Sequence, residues 1–196
     1  GCDFNYDISS TGDARTNAFY VTGEYKFADA FTLDVGVRQE NHEVEYSVDE
    51  GLDGIITKTV SYDESKTSWT TGLNYSINDD MGVFARVNRG YKMPYFDDFR
   101  DNFDAYEGGE KLIKEITQGE LGYKLITEST DFYATVFVNE VKGDTFVRRP
   151  GVPAEILTNE AYGIELDYNF NHDSGFSVNL NTTLQDAEIT ESPTND

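Results

Sequence analysis

The sequence predicts an all-β protein: an antiparallel meander of about eight long strands forming part of a transmembrane β-barrel, with a short helix in one extracellular loop. Three observations lead there. Apolar and polar residues alternate with a period of two along most of the chain, as they do when successive side chains point to opposite faces of a strand. The alternating runs are about 10–12 residues long, enough to cross a bilayer at a tilt of about 45° and longer than the roughly 5–6 residues usual in a soluble β-sandwich. The connections between them alternate short and long, the pattern of periplasmic turns and extracellular loops.

The stretch from Thr71 to Lys124 shows all three. Trp69, Thr71, Leu73, Tyr75 and Ile77 share one face of a strand, while Thr70, Gly72, Asn74 and Ser76 share the other. Asn78-Asp79-Asp80 turns the chain into a second strand over 82–92, and a long loop leads to a third over 115–126. Upstream, residues 1–16 are polar and aperiodic and read as the remnant of an extracellular loop. Strands are then expected over 17–27 and 31–48, joined at Ala28-Asp29-Ala30. Turn chemistry over Asp49 to Gly54 follows, and Ile55 to Tyr62 reads as a strand extension standing above the membrane wall. The strand over 66–77 enters the central hairpin. Downstream, strands are expected over 131–146, 157–170 and 175–190, with a loop carrying Arg148, Arg149, Pro150 and Pro153 and a final remnant at 191–196. Phe27, Phe31, Tyr75, Tyr123, Tyr168, Phe170 and Phe176 gather beside the short turns, where a lower interfacial girdle belongs.

Composition narrows the function classes. Fifteen basic against 37 acidic residues give a net charge of −22, which repels phosphate backbones and excludes a nucleic-acid partner. No apolar run approaches the roughly 20 residues of a membrane-spanning helix, and no signal peptide is visible. Cys2 is the single cysteine, so no internal disulfide forms. No CxxC, HExxH or phosphate-binding glycine loop is present. His42 stands among Glu40, Glu43 and Glu45, and His172 lies in a short turn; both read as exposed polar histidines, and no enzyme activity, metal site or cofactor is expected.

The loop after Lys92 is the most distinctive local feature. Pro94 opens a helix, Phe96, Phe99, Phe103 and Tyr106 recur at helical spacing, and Gly108-Gly109 ends it. Asp97, Asp98, Asp101, Asp104 and Glu107 form the opposite, solvated face, without the spacing of a calcium loop. Two sets of residues are the candidate solute contacts: Arg38, Arg86 and Asn88 on the water-facing wall, and Phe99, Phe103 and Tyr106 over the entrance. Arg89 and Lys92, near the upper rim, are placed to meet lipid phosphates.

Arg89-Gly-Tyr-Lys-Met-Pro94 and Leu112 to Lys124 resemble a strand end and a strand of the β-barrel of TonB-dependent outer-membrane receptors. Glu115, Glu120 and Gly122 match the family's pattern, whereas Lys114 stands where it usually has proline. Ala134 to Phe146, Gly163 to Tyr168 and Asn179 to Ala187 fit as well, so the resemblance extends over about 17–190. It implies the outer membrane of a Gram-negative bacterium and import of a scarce, bulky solute: a siderophore or other metal chelate, a vitamin or an oligosaccharide. It further implies outer-membrane lipid and lipopolysaccharide as surroundings, and a TonB complex engaged only through an N-terminal region absent from this sequence. The family's plug domain is also absent, and about 22 strands are usual, so the chain reads as an internal fragment. The alternative is a complete eight-stranded barrel with a structural or adhesive role; a barrel enzyme ranks third.

Overall fold

The computed structural model describes residues 9–50, 56–146 and 155–191. Eight strands form one antiparallel sheet in strict sequence order: β1 (Ser9–Ala28), β2 (Phe31–Glu50), β3 (Ile56–Ser76), β4 (Met81–Lys92), β5 (Lys114–Ile126), β6 (Thr130–Phe146), β7 (Glu155–Asn171) and β8 (Ser177–Glu191). Two short helices, α1 (Phe96–Asp101) and α2 (Phe103–Glu107), lie between β4 and β5. β1 and β8 occupy opposite edges, so the described strands form an open wall and not a closed eight-stranded barrel.

Register explains why the sheet has one apolar face. Hydrogen-bonded pairing places Tyr25, Leu33, Leu73, Ala85, Leu121, Val136, Ile164 and Leu184 in one continuous row across all eight strands. A slip of one residue at any junction would turn that strand's apolar set to the wet face. The band also slants. Trp69 ends it on β3; the same row runs on through Arg89, Thr117, Glu140 and Glu160 to Glu188, four residues past Leu184, the last apolar residue on that face of β8 before the charged rim. Such a stagger is what strands tilted to a membrane normal require. At the short-turn end, ring pairs Phe27–Phe31 (5.4 Å), Phe31–Tyr75 (4.7 Å), Tyr123–Phe132 (6.4 Å) and Phe132–Tyr168 (6.5 Å) form the expected girdle.

The strands run farther than the sequence reading places them. Residues 9–16 are strand, with Ser9 to Thr16 paired against Asp49 to His42. β2 and β3 stay paired from Phe31↔Tyr75 up to Glu50↔Ile56, so the strand extension expected above the wall is part of one tall hairpin continuous with the strand below it. Polarity inverts as it rises. Val35 and Val37 face outward, but above His42 the apolar residues Val44, Tyr46, Val48, Val60 and Tyr62 face inward and are buried. The outward side becomes polar, tied by Ser47–Thr59 (2.8 Å), Thr57–Asp49 (2.6 Å) and a Thr67–Gln39 hydrogen bond. Water replaces hydrocarbon outside at that height, and a protein layer replaces water inside. Residues 1–8, with Cys2, the tip at 51–55, the Arg148 to Pro153 loop and residues 192–196 lie outside the described residues.

Candidate functional site

The inner face of the sheet carries the polar side chains singled out in the sequence. Asp34, Gly72, Arg86 and Glu120 stand side by side on β2 to β5. Gly72 allows its neighbours to meet across it: a Cβ there would lie 2.1 Å from Asp34 Oδ2, and without one Arg86 Nη2 donates to Asp34 Oδ1 at 3.4 Å. One row higher, Asn88 donates to Gln118 at 3.4 Å. On β2, four residues above Asp34, Arg38 donates to Glu40 through Nε (3.0 Å) and Nη2 (2.6 Å). Arg38 and Arg86 keep nearly half their side-chain surface open (47% and 45%), so these ion pairs leave the guanidinium groups accessible to a further acceptor. Asp34 Oδ2 and Asn139 Oδ1 are buried on this wall without a protein donor.

Above the wall, the loop after Lys92 folds onto the inner side of the tall hairpin. The sequence predicts one helix; the chain forms two, because Asn102 leaves helical geometry (φ −128°, ψ 34°) and serves as the C-cap of α1 and the N-cap of α2. Asp98 accepts from the Tyr95 N–H at 2.8 Å, half of a capping box that fixes the start of α1. Phe99 is fully buried, with its ring 4.3 Å from Tyr106, 5.5 Å edge-on to Tyr62 and 5.9 Å from Tyr46. Phe103 and Tyr106 are buried in the same cluster, Phe103 lying 6.3 Å from Tyr46 and beneath Lys58. These three rings, singled out in the sequence as entrance contacts, are thus turned onto β2 and β3. The exposed aromatics of this loop are Tyr95 (66%) and Phe96 (41%).

Small residues and a histidine seat this layer. Gly12 on β1 faces Tyr46, and a Cβ there would come within 2.7 Å of the Phe96 ring. His42, expected to be exposed, is buried instead because the loop after Lys92 packs over it; since the Pro94 carbonyl can only accept, Nε2–H donates to it (3.1 Å), and Nδ1 accepts from the Thr16 hydroxyl (2.8 Å). Both ring nitrogens therefore hold β1 to the loop. Lys111 pairs with Glu64 on β3, and Tyr106 donates to the Leu112 carbonyl at 3.4 Å. Burial raises the hydroxyl pKa of Tyr62 from 10.0 to about 12, and its oxygen has no hydrogen-bond partner; burial, then the nearby Asp98 charge, raises Tyr106 as well. The partners of Phe99, namely Val44, Tyr46, Val60 and Tyr62, went unnoticed in the sequence as a docking surface. Their signal is the phase change from odd-numbered Val35 and Val37 to even-numbered Val44, Tyr46 and Val48.

The family model described as the TonB-dependent receptor-like β-barrel matches residues 3–196. Comparison with curated protein sequences finds no match. Among solved structures, the ferric yersiniabactin uptake receptor FyuA from Yersinia pestis is 21% identical, with a TM-score of 0.71 over 94% of this chain and 29% of that one. The ferric-catecholate import receptor Fiu from Escherichia coli K12, in its closed form, is 17% identical with a TM-score of 0.75, covering 93% of this chain and 29% of its own. The alcaligin outer-membrane receptor FauA from Bordetella pertussis is 15% identical with a TM-score of 0.70, covering 92% and 31%. The chain thus spans under a third of the length of these receptors. With the apolar band, the girdle, the alternating connections and the family match in agreement, the chain belongs to the TonB-dependent receptors and forms part of an outer-membrane β-barrel.

Proposed function

We propose that this segment is part of the wall and vestibule of an energy-coupled importer whose solute carries negative charge, as many metal chelates do. The observation that carries the reading is the accessibility of two arginines on the inner wall. The chain has a net charge of −22, yet on the inner face of the described strands Lys26, Arg38, Lys58, Lys66, Arg86, Lys92, Lys114 and Lys124 stand against about as many carboxylates, among them Asp34, Glu40, Glu64, Glu120, Glu165 and Asp167, so the inner wall is close to neutral; Lys92, expected to meet lipid phosphates, lies on this inner face. Against that balance, the guanidinium groups of Arg38 and Arg86 keep nearly half their surface open and can each reach a further anionic acceptor. The similar receptors FyuA and Fiu take up ferric yersiniabactin and ferric catecholates, which is consistent with this class.

In this reading Arg38, Arg86 and Asn88 contact the solute directly. Phe99, Phe103 and Tyr106 act through the shape of the loop, holding Tyr95 and Phe96 at the entrance. No catalytic step is proposed. The test uses the intact receptor: an Arg38→Gln, Arg86→Gln double variant should bind an anionic ferric chelate about tenfold or more weakly, the loss expected from removing charge-assisted hydrogen bonds. A neutral solute of similar size should bind both proteins alike. Equal affinity of parent and variant for the anionic chelate would overturn the reading.

A further inference from the structure

Above Trp69, β3 outruns its neighbour. Its pairing with β4 stops at Trp69↔Arg89, whereas its pairing with β2 continues to Glu50↔Ile56, so the upper part of β3 has a ladder on one side and, among the described residues, none on the other. The chain beyond Lys92 does not continue the wall upward; it crosses the inner side of the hairpin and docks α1 and α2 there. An open sheet edge is left standing above the membrane, reaching roughly 40 Å of strand beyond Trp69 at Thr57.

The direction of each peptide group on this edge follows from the turn below it. Ser76 N–H donates to the Ala30 carbonyl on the β2 side (2.8 Å), and Ile77 N–H donates to the Met81 carbonyl on the β4 side (2.9 Å). Successive residues of a strand bond to opposite neighbours, and the register of β2 with β3 is unbroken, so the odd-numbered residues keep facing away from β2. The N–H and C=O groups of Thr57, Thr59, Ser61, Asp63 and Ser65 therefore form a row of main-chain donors and acceptors along the open edge, and all five residues are exposed. Edges of this kind are usually guarded by proline or by inward-pointing charge. This one has no proline, and its inward charges are engaged elsewhere: Lys58 over the Phe103 ring, Glu64 with Lys111, and Lys66 over the Tyr91 ring.

We propose that this edge takes up an extended polypeptide segment of another protein as an added antiparallel strand, with cationic side chains at alternate positions. Main-chain hydrogen bonds to Thr57 through Ser65 hold the segment, and side-chain charge selects it. Its outward side chains stand beside Asp63, and the same face carries Glu43 and Glu45 on β2 and Asp13 on β1, with Arg15 as the cation among them. Its inward side chains are short, because the α1–α2 layer lies behind the hairpin. A second copy of this chain does not fit the edge, since it would set one acidic face beside another. The inference is independent of which solute the receptor imports.

The experiment is fluorescence anisotropy of a labelled peptide of about nine alternating lysines and threonines, the span of the edge, added to the intact receptor in nanodiscs without net lipid charge. Binding is expected, and a glutamate–threonine peptide of the same length should not bind. In an antiparallel strand whose lysines face outward, the lysine N–H groups are the ones that reach β3. N-methylation of the lysines should therefore weaken binding about tenfold or more, and N-methylation of the threonines should leave it unchanged. Ser61→Pro removes one edge N–H without touching the ladder to β2; it should weaken binding about tenfold while the hairpin resists protease as in the parent. Thr59→Pro takes its place if that variant fails to assemble. No binding of the lysine peptide, equal binding of the two methylated peptides, or binding indifferent to the proline would overturn the proposal.

Discussion

At the scale of single residues, what a side chain touches decides its role more than its type. Leu166 and Asn179 lie on adjacent strands, but Leu166 faces outward in the apolar band and Asn179 faces the lumen. Leu166→Arg is expected to cost about 2–4 kcal/mol in a bilayer unfolding titration, and Asn179→Arg close to nothing. Equal costs would reverse the assigned faces. Tyr62 makes a different case. Its hydroxyl is buried without a partner, so Tyr62→Phe should leave stability unchanged or raise it. The folded-state pKa is raised from 10.0 to about 12, so the folded protein holds the proton over that interval. Stability from this group is therefore complete below pH 10.0 and is lost as pH rises towards about 12. The phenylalanine variant should show a shallower alkaline loss of packing around the loop, read by near-ultraviolet circular dichroism.

At the scale of elements, the loop helices show how little intrinsic propensity contributes. α1 has six residues and α2 has five, far below the length at which an isolated helix persists in water. They exist because Phe99, Phe103 and Tyr106 find an apolar surface on β2 and β3, and that surface is free because β1 opposes it with Gly12, Ala14 and Thr16. Phe99→Ala is expected to cost about 3–5 kcal/mol of loop docking and to expose residues 93–110 to protease, with β-sheet content unchanged. Gly12→Leu, on a different strand, should have the same consequence by pushing on the Phe96 ring. Digestion of either variant at the parent's rate would show that the cluster does not hold the loop.

At the scale of the whole molecule, the same sheet is built for three surroundings. Low on the wall the outer face is apolar and the inner face wet; high on the hairpin the outer face is wet and the inner face packs a protein layer. Apolar transfer free energy accounts for both arrangements, because each face takes the polarity of what lies against it. A polar-to-apolar change should therefore depend on height. Thr59→Val, on the outer face of the hairpin above the membrane, should gain no membrane partitioning, whereas Thr71→Val in the band should be neutral or stabilising. Quenching by brominated lipids of Trp69, the single tryptophan, should report the band's upper edge directly.

Much of this fold was written in the order of residues. Alternation with a period of two is set by strand geometry itself, so Leu33, Leu73, Val136, Ile164 and Leu184 declare their face without knowledge of their neighbours, and the asparagine, aspartate and glycine turns declare which strands pair. The resemblance to the receptor family rested on the same local patterns. The inward positions of Arg38, Arg86 and Asn88 followed from period alone. Other features needed the third dimension. Residues 9–16 have no apolar face to announce a strand; they pair because the tall β2 offers a free edge. Phe99 and Tyr106 show helical spacing in the sequence, but only their contact with Tyr46 and Tyr62, many residues earlier in the chain, decides that they turn to protein and not to the vestibule. Local geometry sets which way each side chain points; what it meets there depends on packing between segments far apart in the chain.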